Sequence, residues 1–154
     1  MNRDRAPLYL LALMFLIVGC GRDDQWVQGR PPVYPTSGQV LFNGEPVEKA
    51  TVIFQPVDAG GKPGTALTDA RGYFKAETFE NADGLTEGTH RVSIRKVHMA
   101  DRDGNIVEMV LDDGGGLQEK HFLPEAYASF ETSGLEITIE ATGRNELQPF
   151  NLAN

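Results

Sequence analysis

Two β-strand patterns and a turn signal lie within residues 37–56, SGQVLFNGEPVEKATVIFQP. In the second pattern Val52 and Phe54 are separated by one residue, which places both side chains on the same face of a strand. Between the two patterns lies Asn43-Gly44, a dipeptide that favours positive φ and is a strong signal for a hairpin. The segment therefore predicts two strands joined by a hairpin turn.

Further strand and turn signals continue to the end of the chain. In DARGYFKAETF (69–79) a turn at Asp69–Gly72 precedes a strand with Phe74 and Ala76 on one face. Strong helical periodicity is absent outside the N-terminal apolar run, so the sequence predicts an all-β domain. Short strands with frequent turns are typical of a β-sandwich. The remaining strand patterns are TALTD (65–69), THRVSIRKVHM (89–99), GLEITIEA (134–141) and LQPFNL (147–152).

Residues 1–19 combine a basic start, a short apolar run and a small residue at the end. The run Leu8–Val18 contains eleven residues. As a helix it would reach about 16 Å at ~1.5 Å per residue, well short of the ~30 Å hydrocarbon core of a bilayer. A membrane-spanning helix therefore fits poorly. The layout favours a secretory signal peptide, and we expect residues 1–19 to be cleaved off on export.

The single cysteine of the chain, Cys20, follows this run, and a single cysteine cannot form an internal disulfide bond. The segment resembles the lipobox of bacterial lipoproteins, with Ile17, Val18 and Gly19 in the positions before the cysteine. The resemblance implies lipid attachment to Cys20, where each buried CH₂ group stabilises the membrane-bound form by about 0.8 kcal/mol. Because Gly21 rather than aspartate comes next, it also implies the outer membrane. The alternative is an ordinary buried thiol in an N-terminal helix.

Residues 20–36 contain three prolines and no periodic apolar pattern. This composition favours an extended, polyproline-like conformation. About fifteen such residues would span about 45 Å at ~3.1 Å each. We therefore interpret residues 20–36 as the lipidated cysteine followed by a proline-rich tether, which would hold a domain of residues 37–154 away from the membrane.

Charge and composition exclude several classes of function. The formal net charge is −8 and the chain contains no Lys/Arg cluster, so no nucleic-acid partner is expected. No GxSxG, Walker A or HExxH motif occurs, and we expect no cofactor. The histidines are His90, His98 and His121. Along one strand His90 and His98 would lie roughly 26 Å apart at ~3.3 Å per residue, too far to share a metal ion.

Five segments, taken in order, resemble the carboxypeptidase-regulatory-like, transthyretin-like domains of bacterial surface lipoproteins. They are SGQVLFNGEPVEKATVIFQP, TALTDARGYFKAET, GLTEGTHRVSIRK, LPEAYASFETSGLEITI and the final FNL. The resemblance covers about residues 36–152. It implies a seven-stranded Greek-key β-sandwich in which the first segment forms the first hairpin. It also implies a protein that is usually not catalytic.

Residues 98–122 form an insertion that this family pattern does not require. Two alternating apolar arms flank Asp103-Gly104, which predicts a protruding hairpin with a type I′ turn. The alternative is a calcium site, since acidic and amide residues fall at positions 1, 3, 5 and 12 of an EF-hand-like loop. Position 6 of such a loop requires glycine, and here it is Ile106. We therefore favour the hairpin and no metal site; the ligands of the alternative would be Asp101, Asp103, Asn105 and Asp112.

These features together predict an exported, lipid-anchored β-sandwich of the cell envelope, on the periplasmic or surface face of the outer membrane. We expect it to be a non-enzymatic structural or binding module for a protein or glycan, attached to the membrane through the lipid on Cys20. One alternative is a calcium-dependent adhesion module. The other is a secreted hydrolase that uses carboxylates from the acidic segment, namely Glu77, Glu80, Asp83 and Glu87.

Overall fold

The computed structural model describes residues 29–107 and 116–154, where the regular secondary structure is nearly all β-strand and the remainder is turns and loops. Residues 31–154 form one compact unit. The described residues contain no α-helix, and a 3-10 helix spans Glu125–Ala128. The strands are β1 (Val33–Tyr34), β2 (Thr36–Phe42), β3 (Glu45–Pro46), β4 (Thr51–Pro56), β5 (Gly64–Leu67), β6 (Tyr73–Lys75), β7 (Leu85–Thr86), β8 (Gly88–Arg95), β9 (Val97–Ala100), β10 (Ile106–Val107), β11 (Gln118–His121), β12 (Leu135–Ile139), β13 (Asn145–Glu146) and β14 (Phe150–Leu152).

One large sheet, here called the four-stranded sheet, has the order β12-β8-β4-β5, and all its neighbouring strands are antiparallel. Its inner face is formed by alternate residues of β4 and β8. Val52 and Phe54 of β4 lie opposite Ile94 and Val92 of β8, and all four side chains are fully buried. The predicted placement of Val52 and Phe54 on one face of a strand is therefore confirmed.

The second large sheet, here called the β2 sheet, is centred on β2. On one side β2 pairs antiparallel with β3 and β6, and on the other it pairs parallel with β13 and β14. The predicted C-terminal strand is present as β14, where Phe150 lies opposite Val40. Because parallel neighbours need a long connection, this pairing brings the end of the chain back beside its first long strand.

A single hydrophobic core connects the two large sheets. The ring of Phe74 in β6 lies 5.9 Å from that of Phe54 in the four-stranded sheet and 6.1 Å from that of Phe150 in β14. Phe74 and Ala76 are both buried, as the sequence predicts. The prediction of an all-β domain is thus confirmed.

The Asn-Gly hairpin forms, but it does not join the two long strands. Asn43 and Gly44 have φ values of 52° and 88°, as a type I′ turn requires, and the turn connects β2 to the short β3. The expectation that β2 pairs with the strand after it through this turn is wrong, because β4 belongs to the other sheet. Residues 47–50 connect β3 to β4 and so pass from one sheet to the other. Thr68 fixes this connection, because its hydroxyl donates to Val47 O at 2.6 Å and accepts from Ala50 N at 2.8 Å.

The segment THRVSIRKVHM contains two strands rather than the single strand predicted. It is interrupted at Lys96, because β8 belongs to the four-stranded sheet and β9 belongs to a separate three-stranded sheet of order β10-β9-β11. This smaller sheet, here called the insertion sheet, contains the predicted hairpin as the pair β9–β10. The turn is not type I′, because Gly104 has a positive φ of 84° and Asp103 does not.

The end of the predicted tether is part of the fold. Val33 and Tyr34 form β1, which pairs antiparallel with Thr86 and Leu85 of β7. The signal peptide, the lipobox residues and Cys20 lie outside the described residues, as does Asp112.

Candidate functional site

A surface groove follows β6 because the β5–β6 hairpin opens along its length. At the open end of the hairpin Thr65 and Glu77 exchange two backbone hydrogen bonds of 2.8 Å. At the turn end Asp69 N donates to Tyr73 O at 2.8 Å. Between these points Leu67 lies opposite Lys75, and no backbone hydrogen bond joins them among the described residues. The strands separate here because β5 continues into one sheet and β6 into the other.

The groove has a volume of about 650 Å³ and combines apolar, aromatic and charged side chains. Leu67 is 63% exposed and Tyr73 is 50% exposed, and both line the groove. The Arg71 guanidinium carbon lies 5.5 Å from the centre of the Tyr73 ring, within cation–π range. The groove, here called the β6 groove, therefore offers an apolar and aromatic contact surface beside positive charge.

A rigid turn positions the two most prominent side chains of the β6 groove. The Asp69 carboxylate oxygen Oδ1 accepts hydrogen bonds from Arg71 N at 2.8 Å and from Tyr73 N at 2.9 Å. Gly72 adopts a φ of 75° and donates its N–H to Asp69 O at 2.9 Å. Gln39 in β2 donates from its side-chain amide to Arg71 O at 2.9 Å. The predicted turn at 69–72 is confirmed. Because its hydrogen bonds already order the turn, ligand binding would cost less conformational entropy.

A second, smaller pocket of about 160 Å³ adjoins the β6 groove. The two depressions share Ser37, Lys75 and Ala82, so they are continuous along the surface. At its far end the pocket is lined by Pro35 and Arg144. Its charged lining residues are therefore one lysine and one arginine, with no carboxylate among the side chains that line it.

The acidic segment considered for hydrolysis is partly structural. The Asp83 carboxylate accepts hydrogen bonds from the backbone N–H groups of Thr78 at 2.7 Å and of Phe79 and Glu80 at 3.0 Å each, so it closes the loop between β6 and β7. Glu77 lines the β6 groove and also an adjacent depression of about 380 Å³, which Glu80 lines as well.

The residues of the calcium alternative lie in the turn of the insertion hairpin. Asp101 Oδ1 accepts from Asp103 N at 2.9 Å and from Asn105 N at 2.8 Å, and Oδ2 accepts from Asn105 Nδ2 at 3.1 Å. These bonds, those from Asn105 above all, lower the pKa of Asp101. Ile106 begins β10, and the turn glycine is Gly104. Among residues 29–107 and 116–154 no three His, Cys, Asp or Glu side chains gather as metal ligands would.

The three histidines occupy separate environments. His90 is fully buried in β8, with Nε2 2.8 Å from Thr86 O. Because a carbonyl oxygen only accepts hydrogen bonds, Nε2 carries the proton, and Nδ1 is buried without a partner in the described structure. Burial lowers the pKa of His90. His98 packs edge-on against Phe122 at 4.6 Å, and His121 Nε2 lies 3.9 Å from a carboxylate oxygen of Glu119.

The sequence alone did not identify the β6 groove. Alternation places Phe74 in the core, so Tyr73 and Lys75 must point outward, and this signal was available. The concave surface itself depends on the separation of β5 from β6. That separation is a tertiary feature with no counterpart in the local sequence pattern.

Comparison with known proteins leaves the family of this chain open. No model of a known protein family matches it, and no curated protein matches it. A solved structure with some resemblance is a 9R-lipoxygenase from Cyanothece PCC8801, at 14% sequence identity and a TM-score of 0.40. The match covers 80% of this chain and only 17% of the lipoxygenase chain. A resemblance this weak carries no conclusion about fold or activity. In the part of the chain that the structure describes, no helix has the length and apolarity needed to cross a bilayer.

Proposed function

We propose that this protein is a non-enzymatic binding module of the bacterial cell envelope, anchored by lipid and binding a protein or glycan through the β6 groove. The observation that carries the proposal is the exposure of Leu67 and Tyr73 on a groove whose turn is fixed by hydrogen bonds. Aromatic residues with an adjacent arginine are common at the energetic centres of binding surfaces. In the Asp83 loop the carboxylate is used to hold the backbone, which favours binding over carboxylate catalysis.

We further propose that the domain is a seven-stranded Greek-key sandwich of the transthyretin type, as in carboxypeptidase-regulatory-like domains. Seven principal strands support this proposal. Four of them form the four-stranded sheet, and the other three, β2, β6 and β14, are the main strands of the β2 sheet. The short strands β3 and β13 extend the two sides of β2.

The anchor is the lipid on Cys20, and the proposed location is the outer membrane. Replacing the thiol removes the attachment site, so Cys20→Ser should move the protein from the membrane fraction to the soluble fraction. Gly21→Asp is the matched control for the choice of membrane. This variant should stay membrane-bound but move from the outer to the inner membrane. Membrane retention of Cys20→Ser would contradict lipid anchoring.

The binding role is tested by capture from envelope extract on immobilised protein, together with a glycan array. The combined Leu67→Ala and Tyr73→Ala variant should lose most of the specifically captured material, because it removes the exposed apolar surface of the groove. Ile106→Ala is the matched control, since Ile106 is 44% exposed but lies in the insertion hairpin. Equal capture by wild type and the groove variant would contradict the proposal.

A further inference from the structure

The small pocket beside the β6 groove brings two cations together from opposite sides of one strand. Lys75 lies in β6, where it is the register partner of Ser37 in β2. Arg144 directly precedes β13, which pairs with the other side of β2, and Asn145 N donates to Pro35 O at 2.8 Å. Both cations line the same 160 Å³ pocket, with Ser37 between them.

Neither cation is paired with a carboxylate in the described part of the chain. In residues 29–107 and 116–154, no carboxylate lies within salt-bridge distance of Lys75 or Arg144. Glu146 lies opposite Ser37, and Glu77 follows Lys75 by two residues and lines the adjoining groove, but neither acid lines the pocket. Two unpaired positive charges in one concavity are notable on a chain with a formal net charge of −8. A concave surface lined by a single sign of charge raises the local concentration of counter-ions.

The donors of the pocket suit a doubly charged oxyanion. An arginine guanidinium presents two parallel N–H groups to a phosphate or carboxylate, and a lysine ammonium contributes a compact point charge. The hydroxyl of Ser37 adds a hydrogen-bond donor between them. The pocket volume is several times the ~30 Å³ that one water occupies in the liquid, so such a group can enter. Two cations match the charge of a phosphate dianion better than that of a single carboxylate.

We propose that this pocket binds a phosphate group and forms the anionic end of the β6 groove. The inference rests on the proposed binding role of that groove and specifies the chemistry of the ligand. Tyr73 and Lys75 lie on the same face of β6, about 7 Å apart along the strand. The ligand therefore carries a phosphate next to an apolar or aromatic portion. The phosphate is that of a lipid headgroup or of a soluble phosphorylated molecule.

The test titrates the protein with inorganic phosphate at constant ionic strength, with chloride as the replacement anion, and follows backbone amide shifts by NMR. Saturable shifts at Ser37 and Ala82 in the millimolar range are expected. Lys75→Gln and Arg144→Gln should each weaken the apparent Kd for phosphate at least tenfold. Lys120→Gln, which removes an exposed cation in the insertion sheet, should leave it unchanged. The melting temperature of each variant in chloride shows that it is folded.

Two results would overturn the inference. One is the absence of saturable shifts beyond those produced by chloride. The other is equal weakening in all three variants, which would indicate a general effect of net charge. A titration with acetate should give a markedly weaker Kd than phosphate, and a Kd equal to or tighter than that of phosphate would show that the site prefers carboxylates. In that case the assignment to phosphate is wrong.

Sedimentation with lipid vesicles distinguishes a lipid headgroup from a soluble phosphorylated molecule as the source of the phosphate. Binding to vesicles that contain phosphatidic acid, whose headgroup is a phosphate monoester, but not to phosphatidylcholine vesicles, lost in Arg144→Gln, supports a lipid headgroup. Phosphate binding without vesicle binding supports a soluble ligand. The combined Leu67→Ala and Tyr73→Ala variant should keep its affinity for inorganic phosphate. If phosphate does not bind but envelope material is still captured through the groove, this inference alone is rejected. If phosphate binds but the groove variant captures as much envelope material as the wild type, the proposed function is rejected.

Discussion

Two turns of this molecule share a sequence pattern and a set of hydrogen bonds but differ in their surroundings. The core turn, Asp69–Tyr73, and the insertion turn, Asp101–Asn105, both follow the pattern Asp-x-x-Gly-x. In each, aspartate Oδ1 accepts the N–H groups two and four residues later, and the aspartate carbonyl accepts the glycine N–H. Each glycine has a positive φ, 75° for Gly72 and 84° for Gly104. Local sequence therefore specifies the geometry of both turns.

The packing around the two glycines differs sharply. A Cβ atom on Gly72 would lie 2.5 Å from Val40 O and 3.2 Å from Val47 N, in the backbone of the β2 sheet. A Cβ atom on Gly104 would meet nothing within 4 Å. The comparison indicates that two turns with the same local geometry contribute differently to the free energy of unfolding, because their tertiary contacts differ. The core turn also positions Arg71 and Tyr73 on the β6 groove.

The largest expected effect comes from substituting the two glycines. Gly72→Ala should lower the free energy of unfolding by about 3 kcal/mol, because it combines left-handed strain with a collision against fixed backbone. Gly104→Ala introduces left-handed strain without a collision, which costs about 1 kcal/mol. This strain destabilises the peripheral insertion hairpin. Urea denaturation of both variants measures the difference. Equal destabilisation would contradict the role assigned to packing.

The next effect concerns the aspartates that hold the turns. Asp69→Ala removes two hydrogen bonds to backbone N–H groups and should cost about 1–2 kcal/mol of global stability. Asp101→Ala should leave global stability unchanged within error and accelerate hydrogen exchange at Asp103 and Asn105. Asp69→Asn is the control, because its side-chain oxygen still accepts both bonds. If Asp69→Asn is as destabilising as Asp69→Ala, the carboxylate has a role other than acceptor.

Mild acid should affect the core before the insertion. Burial lowers the pKa of His90, so the folded protein keeps this histidine neutral while the unfolded chain binds a proton below about pH 6.5. The stability contribution is therefore complete above that pH and declines as pH falls below it. Urea denaturation across pH 7 to 5 should show this slope, and His90→Gln should flatten it. An equal flattening in His121→Gln would show that the effect is not specific to the buried site.

The smallest effect is the acid response of the insertion turn. Hydrogen bonds from Asn105 lower the pKa of Asp101, so the ionised form is favoured in the folded hairpin. The contribution is present above the unfolded value of about 3.9 and is lost as pH falls through the lowered pKa. The protection factor for amide exchange at Asn105, which corrects for the slower intrinsic exchange in acid, should therefore be unchanged at pH 5 and fall below about pH 4. Loss of protection near pH 6 would contradict this assignment.

The turns and strand faces of this fold could be predicted from sequence, whereas strand partners could not. The Asn43-Gly44 turn, the Asp69–Gly72 turn and the burial of Phe74 follow from residue chemistry within a few positions. The placement of β4 in the four-stranded sheet rather than beside β2, and the interruption at Lys96, depend on long-range pairing, which alternation does not encode.

The candidate site was missed for the same reason. Leu67, Tyr73 and Lys75 read as ordinary outward positions of two strands, and Arg144 as a loop residue far along the chain. Only the separation of β5 from β6 and the parallel return beside β2 bring them to one continuous depression. The lipobox stays a prediction from a contiguous sequence motif, because its residues lie outside those that the structure describes.

The most direct test of the binding role places a photo-crosslinking residue at position 73 or at position 106 of the full-length protein in living cells. Both native side chains are about half exposed, but only Tyr73 lies on the β6 groove. The proposed function predicts a discrete crosslinked product from position 73 and none from position 106. Products from position 106 alone, or the same products from both positions, would contradict it.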